Sequence, residues 1–307
     1  MVNRPLLHVG DEVAVIATSG PCDVYRLEKG VRVLESMGLR CHIAQSCCAR
    51  EGFLAGDDAL RLQDLHDAFA SPRIRGIFVA RGGYGAQRLL PFIDYTLIKN
   101  NPKVFAGYSD VTALHIAFNQ RCNLITYHAP MPIPDFGGEE VNPQSLQWFK
   151  DTLFTKGCGA APRNFNRSNL SAPLTGGNLT LIASSLGTPY EIDTAGKILF
   201  LEEINEEPYK IDRLLLQLKY AGKFTRAKAI LLGDFSPYSI EELSQTIQDI
   251  LLPLEIPIVT GIPCGHTSPN TTLPLGAVVE IAASHLPPNI AQTHQYQTRP
   301  LALIFGQ

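Results

Sequence analysis

Along the first half of the chain, short apolar runs alternate with longer stretches whose apolar positions recur at helical spacing. Glu12-Val13-Ala14-Val15-Ile16-Ala17 has the length of a strand and is closed by Thr18-Ser19-Gly20-Pro21. From Val24 to Met37 the spacing of Val24, Leu27, Val31, Val33 and Leu34 predicts a helix, with Gly38 as its stop. Asp57 to Ala70 predicts a second helix through Leu60, Leu62, Leu65 and Phe69. Ile77-Phe78-Val79-Ala80 predicts a buried strand, followed by the loop Arg81-Gly82-Gly83-Tyr84-Gly85 and a helix from about Ala86. Val104-Phe105-Ala106-Gly107 predicts another strand, which passes through Tyr108-Ser109 into a helix from Asp110 to about Asn119. Strands and helices alternating in this way predict a parallel sheet covered on both faces.

From about Pro132 to Ala172 the regularity fails. Proline, glycine and asparagine are frequent there, and only Gln144 to Phe154 predicts a helix. We therefore expect an N-terminal domain over residues 1–135, a connection over 136–171 and a C-terminal domain over 172–307. In the last of these, Gly176-Gly177-Asn178 leads into a helix from Leu179 to Leu186, and Lys197 to Glu203 predicts a strand ending in two acids. Pro208 to Tyr220 is amphipathic, with Ile211, Leu214, Leu215 and Leu218 on one face and Gly222 as its cap. Ala229 to Gly233 predicts a strand, and Ser239-Ile240-Glu241-Glu242 a capping box for a helix reaching Leu252. Ile256 to Thr260, Val278 to Ile281 and Leu301 to Phe305 are further strands, with Gly265-His266 in the loop after the first of them.

Composition narrows the class. At 307 residues and 45% hydrophobic, the chain can bury a full core and suits two medium domains or one large one. A net charge of −3, from 26 basic and 29 acidic residues, excludes the basic footprint of a nucleic-acid binder. No stretch approaches the ~20 uninterrupted apolar residues of a membrane span. The start, Met-Val-Asn-Arg-Pro-Leu-Leu-His-Val-Gly-Asp-Glu, puts acids where a signal peptide needs its apolar segment, which predicts a cytoplasmic protein. The seven cysteines, at 22, 41, 47, 48, 122, 158 and 264, form no CxxC and no metal-binding spacing with histidine, so reduced thiols and no metal are expected.

Ligands of open α/β sheets bind where strands end at their carboxyl edge, and four polar features lie at such places. Ser109 sits between a Gly-ending strand and a helix, as in a nucleophile elbow, although position 111 is Val where Gly-x-Ser-x-Gly needs Gly. The same place suits a helix cap, so both readings stand. Arg81 to Gly85 follows a strand and precedes a helix; such loops turn backbone N–H groups toward a phosphate or an oxyanion, and equally make plain tight turns. Glu202 shares a strand face with Phe200 and Ile198, and Glu203 lies on the opposite face with Leu201 and Leu199. Burying either acid requires a partner, for which Arg213 is a structural candidate. His266 follows a strand, with His115 and His128 as competitors; His115 falls on the helix after Ser109, where packing suffices to explain it. Serine, acid and histidine in this order form a workable nucleophile, orienter and base.

Several segments together resemble the LD-carboxypeptidase family of serine peptidases, and its murein tetrapeptide carboxypeptidase branch in particular. They are Ala-Thr-Ser-Gly-Pro (17–21), Val-Ala-Arg-Gly-Gly-Tyr-Gly-Ala-Gln-Arg-Leu-Leu (79–90), Gly-Tyr-Ser-Asp-Val-Thr-Ala-Leu (107–114) and Gly-Gly-Asn-Leu (176–179). Leu-Gly-Thr-Pro (186–189), Leu-Glu-Glu-Ile-Asn-Glu-Glu-Pro-Tyr-Lys-Ile-Asp-Arg-Leu-Leu (201–215), Gly265-His266 and Leu-Pro-Leu-Gly (273–276) complete the set in the family's order. The family often has Leu-Glu-Asp where this chain has Leu-Glu-Glu, and Ala-Pro-Ser-Gly where it has Ala-Thr-Ser-Gly.

The resemblance implies an α/β fold: a flavodoxin-like N-terminal domain with a parallel sheet, a C-terminal α/β domain, and an active site at the domain interface. It makes Ser109 the nucleophile, Glu202 the partner of the histidine and His266 the general base, with the backbone N–H groups of Gly83 and Asp110 as the oxyanion hole and Arg81 and Gly82 beside the substrate. It demotes His128 and Glu203. It implies hydrolysis of the L,D-bond between the diamino acid and the terminal D-Ala of murein tetrapeptide, in peptidoglycan recycling, with no cofactor. The partners implied are a small peptide substrate, no nucleic acid and no membrane, and a homodimer is left open. The alternative within the family is a self-immunity peptidase that cleaves a peptide–nucleotide toxin, for which Trp148 is a candidate base platform. A non-catalytic binding module, or an esterase, stands further off.

Overall fold

The computed structural model describes residues 5–154, 170–281 and 303–305. These divide into two compact units, one made of residues 5–154 with Pro269–Gly276, the other of residues 170–268, 277–281 and 303–305. Cys158 lies outside the described residues, as do the other residues from 155 to 169 in the expected connection.

In the first unit the strands are β1 (Glu12–Ile16), β2 (Arg40–Ile43), β3 (Ile74–Val79), β4 (Val104–Gly107) and β5 (Thr126–His128). They form one parallel sheet in the order β2-β1-β3-β4-β5, and the short strand Leu273–Leu275 adds an antiparallel edge beside β5. The helices are α1 (Val24–Ser36), α2 (Asp58–Ala70), α3 (Ala86–Leu89), α4 (Tyr95–Asn100), α5 (Thr112–Cys122) and α6 (Pro143–Leu153). Asp23, Asp57 and Asp94 accept from Arg26 N, Leu60 N and Leu97 N at the starts of α1, α2 and α4; such caps are each worth about 1 kcal/mol. Every residue of β4 is buried, and so are five of the six in β3, as strands covered on both faces require. Phe69, Phe105 and Phe118 interlock beside the sheet with ring centroids 5.0–6.2 Å apart.

Two features depart from the expected pattern. Strand β2 lies at the sheet edge with Arg40 and His42 reaching Glu12 at 3.5 and 3.0 Å, so it carries no apolar signature. On α2 the buried face is Arg61, Leu65, Ala68 and Phe69, whereas Leu60 and Leu62 are only half-buried. A guanidinium occupies a core position that periodicity assigns to leucine.

In the second unit β6 (Leu170–Asn178), β7 (Ile198–Glu202), β8 (Ala229–Leu232) and β9 (Ile258–Val259) run parallel. Numbering the edge strand of the first sheet β10, the chain continues in β11 (Val278–Ile281), antiparallel to β6, and β12 (Leu303–Phe305), antiparallel to β11. Helices α7 (Leu179–Ser184) and α8 (Pro208–Tyr220) follow β6 and β7. Strand β6 was hidden by Pro173, Gly176 and Gly177. At Gly176 the backbone takes φ +130°, and a Cβ would fall 1.9 Å from the Phe200 carbonyl oxygen, so only glycine admits this pairing. The capping box forms as expected, with Ser239 N donating to Glu242 at 2.8 Å and Glu242 N to Ser239 Oγ at 3.3 Å. The helix after it is irregular, however. It narrows to Ser244–Thr246, widens into a π-turn over Ile247–Leu251 and tightens over Leu252–Leu254, where Pro253 supplies no N–H.

The chain is thus an α/β protein with two mixed, mostly parallel sheets. No helix among the described residues is long and apolar enough to cross a membrane.

Candidate active site

Ser109 begins a 3₁₀ turn, Ser109–Val111, where β4 gives way to α5. Its φ is +66°, a region that L-residues other than Asn and Asp rarely enter. Such strain costs on the order of 1–3 kcal/mol and persists where the surroundings over-determine it. Neither the turn nor α5 has a side-chain cap bond, so Ser109 is not serving as a helix cap.

Glycines and buried polar groups supply the over-determination. A Cβ on Gly82 would lie 2.8 Å from Ser109 Cβ and 3.0 Å from its Oγ, so this backbone presses directly on the serine. Gly83, at φ +126°, packs against Gly20, whose N–H donates to Gly82 O at 3.3 Å. Asp110 is buried, and its Oδ2 accepts from Ser19 Oγ at 2.6 Å and from Ala86 N at 2.8 Å. Burial pushes the Asp110 carboxyl above its ordinary range, while those two bonds and the charge of Arg61 pull it back. Arg61 is wholly buried and donates to Thr18 O, to Gly85 O at 3.1 Å and to Asp58. Arg81 folds back on the same loops, donating to Pro21 O at 3.1 Å and Gly82 O at 3.3 Å.

The competing histidines His115 and His128 are both buried in the core of this unit. His115 donates from Nε2 to Gly107 O at 2.9 Å, and burial pushes its pKa down to about 4. His128, on β5, packs its ring 5.5 Å from that of Tyr108 at a tilt of 43°.

In the second unit Glu202 ends β7 with no exposure, and His266 Nδ1 lies 2.7 Å from its Oε2. Because a carboxylate accepts, Nδ1 carries the hydrogen and the lone pair falls on Nε2, the nitrogen a general base uses. Burial pushes the Glu202 carboxyl up, and the hydrogen bond and charge of His266 oppose that rise. The loop holding the histidine is tied to the end of β8. Asp234 N donates to Cys264 O at 2.8 Å, and a Cβ on Gly233 would come within 2.4 Å of that oxygen. Gly265 takes φ +122° with its Cα against the carboxylate, where a Cβ would meet Glu202 Oε2 at 2.7 Å.

Glu203 faces the other way and has a different task. Oε1 accepts from Asn178 Nδ2 at 2.8 Å and Ile204 N at 2.9 Å, and Oε2 from Thr180 N at 2.8 Å and Thr180 Oγ1 at 2.7 Å. It stitches the start of α7 to the end of β7. Arg213, the alternative partner for these acids, lies instead 5.4 Å over the ring of Tyr209.

Within the first unit the structure therefore gathers Ser109, Gly82, Gly83 and Asp110, and within the second Glu202 and His266. Sequence reasoning passed over Ser19, Arg61 and the side chain of Asp110. Only the polar pair Thr18-Ser19 after an apolar run, and an acid beside the candidate serine, hinted at them. A serine on a strained turn beside N–H-rich loops suits acyl transfer, and a buried carboxylate on an imidazole suits general base catalysis.

Comparisons with known proteins identify relatives of the chain. A family model described as LD-carboxypeptidase N-terminal domain matches residues 13–129, and one described as LD-carboxypeptidase C-terminal domain matches residues 171–281. The chain is 41% identical over 282 residues to the probable murein peptide carboxypeptidase of Bacillus subtilis, covering 88% of each chain. It is 27% identical to the microcin C7 self-immunity protein of Escherichia coli, covering 94% of this chain and 95% of that one. The crystal structure of muramoyltetrapeptide carboxypeptidase from Oxalobacter formigenes matches with a TM-score of 0.78 at 29% identity, over 89% of this chain and 96% of that one.

Proposed function

Because this chain belongs to the LD-carboxypeptidase family, we propose that it is a serine carboxypeptidase with Ser109 as nucleophile, His266 as general base and Glu202 as orienting acid. Its substrate in this reading is murein tetrapeptide, cut between the L-centre of the diamino acid and the terminal D-Ala, in cytoplasmic peptidoglycan recycling. The observation that carries the proposal is the Glu202–His266 pair, in which a fully buried carboxylate fixes one ring nitrogen at 2.7 Å. The strained turn at Ser109 supports it independently. The strand order β2-β1-β3-β4-β5 favours a flavodoxin-like first domain, whose ligands bind at the carboxyl ends of the strands. Ser109 follows β4 of the first unit and Glu202 ends β7 of the second, so this reading draws its triad from both units.

The reaction then runs as acyl transfer. His266 Nε2 takes the Ser109 proton as Oγ attacks the carbonyl, and Glu202 stabilises the resulting imidazolium. The N–H groups of Gly83 and Asp110 receive the tetrahedral oxyanion; removing one such donor costs about 2.7–4 kcal/mol in other enzymes. The imidazolium returns the proton to the departing amine of D-Ala. Water, activated by the same histidine, then hydrolyses the acyl-enzyme. Arg81 and the Gly82 peptide stand beside the serine for the terminal carboxylate of the substrate.

The test is incubation with murein tetrapeptide followed by mass spectrometry. Loss of a single alanine is expected, at least about a hundredfold faster than from a tetrapeptide ending in L-Ala, because pinning both carbonyl and carboxylate leaves no room for the inverted methyl. Equal rates on the two epimers reject the murein assignment. Turnover of a peptide–nucleotide conjugate alone would move the chain to the self-immunity branch. Against that branch stands the greater likeness to the murein peptide relative, 41% against 27%, and Trp148 is half-buried on α6.

A further inference from the structure

We infer that the Asp110 side chain is the positioning residue of the oxyanion turn, an inference that rests on Ser109 being the nucleophile. Three segments converge on that serine: residues 17–21, residues 81–86 and the turn 108–111. A single carboxylate oxygen of the third holds both of the others, taking Ser19 Oγ at 2.6 Å and Ala86 N at 2.8 Å. One residue earlier in each of those two segments, Arg61 repeats the tie through Thr18 O and Gly85 O. Asp110 therefore meets two neutral donors and the charge of one buried guanidinium, which faces it from α2.

Packing alone does not call for this arrangement. Burying a carboxylate is unfavourable unless its hydrogen bonds are made, and an apolar side chain fills the same volume without that demand. What the carboxylate achieves is to fix its own peptide, whose N–H is the proposed oxyanion donor, relative to the Gly82-Gly83 segment that carries the other donor. There is little slack between them, since Gly82 already presses on Ser109. An error of ~1 Å in such a site costs about a hundredfold in rate. The energy of a buried acid is thus turned to the placement of two backbone amides, with no substrate contact by the carboxylate itself.

The experiment compares Asp110→Ala, Asp110→Asn and Ser19→Ala in the full chain, with rates normalised to the fraction of molecules labelled by a fluorophosphonate. Because one oxygen takes both donors, the amide oxygen of asparagine can replace it. We expect Asp110→Ala to lower kcat about 30–300-fold with KM changed less than about threefold, Asp110→Asn to remain within about fivefold of wild type, and Ser19→Ala to lose about 3–10-fold. Normalisation removes unfolded protein from the comparison, and Ser19→Ala answers the question if Asp110→Ala does not fold. Unchanged kcat per labelled site in Asp110→Ala or Ser19→Ala overturns the inference while leaving Ser109 as nucleophile. An Asp110→Asn enzyme as slow as Asp110→Ala overturns it as well, because charge and not placement would then matter. If the wild type neither labels nor releases alanine, the assignment of Ser109 itself fails and this inference falls with it.

Discussion

Around Ser109 the geometry is held by backbone, with a positive φ at the serine, glycines pressed against it and buried polar groups tying three loops together. Around His266 the ring is set by a side-chain pair, Nδ1 on a carboxylate that has no exposure, and Gly233 and Gly265 bring its loop close to that carboxylate. In the proposed mechanism the two regions should therefore fail differently. A nucleophile must sit within a few tenths of an ångström of its line of attack, which peptide planes and glycines can enforce. A base must keep a tautomer and tolerate a charge, and a carboxylate arranges both at once. The second region also contains its own control, since Glu203 adjoins Glu202 on the strand yet is spent on four hydrogen bonds to neutral donors.

The largest effect is expected at Ser109. Ser109→Ala should lower kcat/KM by at least about a thousandfold, as loss of the nucleophile does in other serine hydrolases. Ser109→Gly should be equally inactive and yet more stable than Ser109→Ala by about 1 kcal/mol, because glycine adopts φ +66° without strain. Kinetics and thermal unfolding of both variants check this. More than a small percentage of wild-type activity in either would remove Ser109 from the mechanism, and equal stability would remove the strain.

Next comes the contrast between the two acids. Glu202→Gln should slow kcat/KM by about 10²–10⁴-fold, because an amide favours the wrong tautomer and cannot stabilise the imidazolium. Glu203→Gln should change rate little and stability more. Each of its oxygens takes two donors, so either orientation of the amide turns an NH₂ group toward donors, at a cost of about 1–3 kcal/mol. If Glu203→Gln proves the slower enzyme, the roles of the two acids are reversed.

The same contrast governs how much could be seen in the sequence. Strands β3, β4, β7 and β8 stand out because they are buried on both faces, and α8 runs over Pro208–Tyr220 as its apolar face and terminal glycine predict. The edge strand β2 and the glycine-broken β6 do not, since one meets solvent and the other buys close backbone approach with residues that elsewhere mark loops. Opposite faces for Glu202 and Glu203 follow from the two-residue period of a strand, but their partners do not. His266 lies 64 residues beyond Glu202, and the nearer cation, Arg213, is stacked on Tyr209. Arg61 was the least legible, because hydrophobic periodicity has no means of placing a guanidinium in a core.

The smallest effect concerns a histidine that the mechanism leaves aside. His115 is as buried as Glu202, but its only hydrogen bond among the described residues is from Nε2 to a neutral carbonyl, at 2.9 Å, and that bond is too little to offset the cost of burying its charge. Burial holds its pKa near 4 in the folded chain against an ordinary 6.5. Above pH 6.5 the ring is neutral folded or unfolded, and stability does not depend on it. Between 6.5 and about 4 the unfolded chain binds the proton and the folded chain does not, so stability falls as the pH falls. The loss from this one group is about 1–2 kcal/mol by pH 5.5. His115→Gln can still donate to Gly107 O and does not titrate. Urea unfolding of the wild type and of His115→Gln should therefore give stabilities that keep a constant difference above pH 7 and shift in favour of the variant as the pH drops to 5. Because both proteins share every other titrating group, a constant difference over the whole range would mean that His115 gains its proton while folded, and that the core beneath the nucleophile turn is open enough to solvate it.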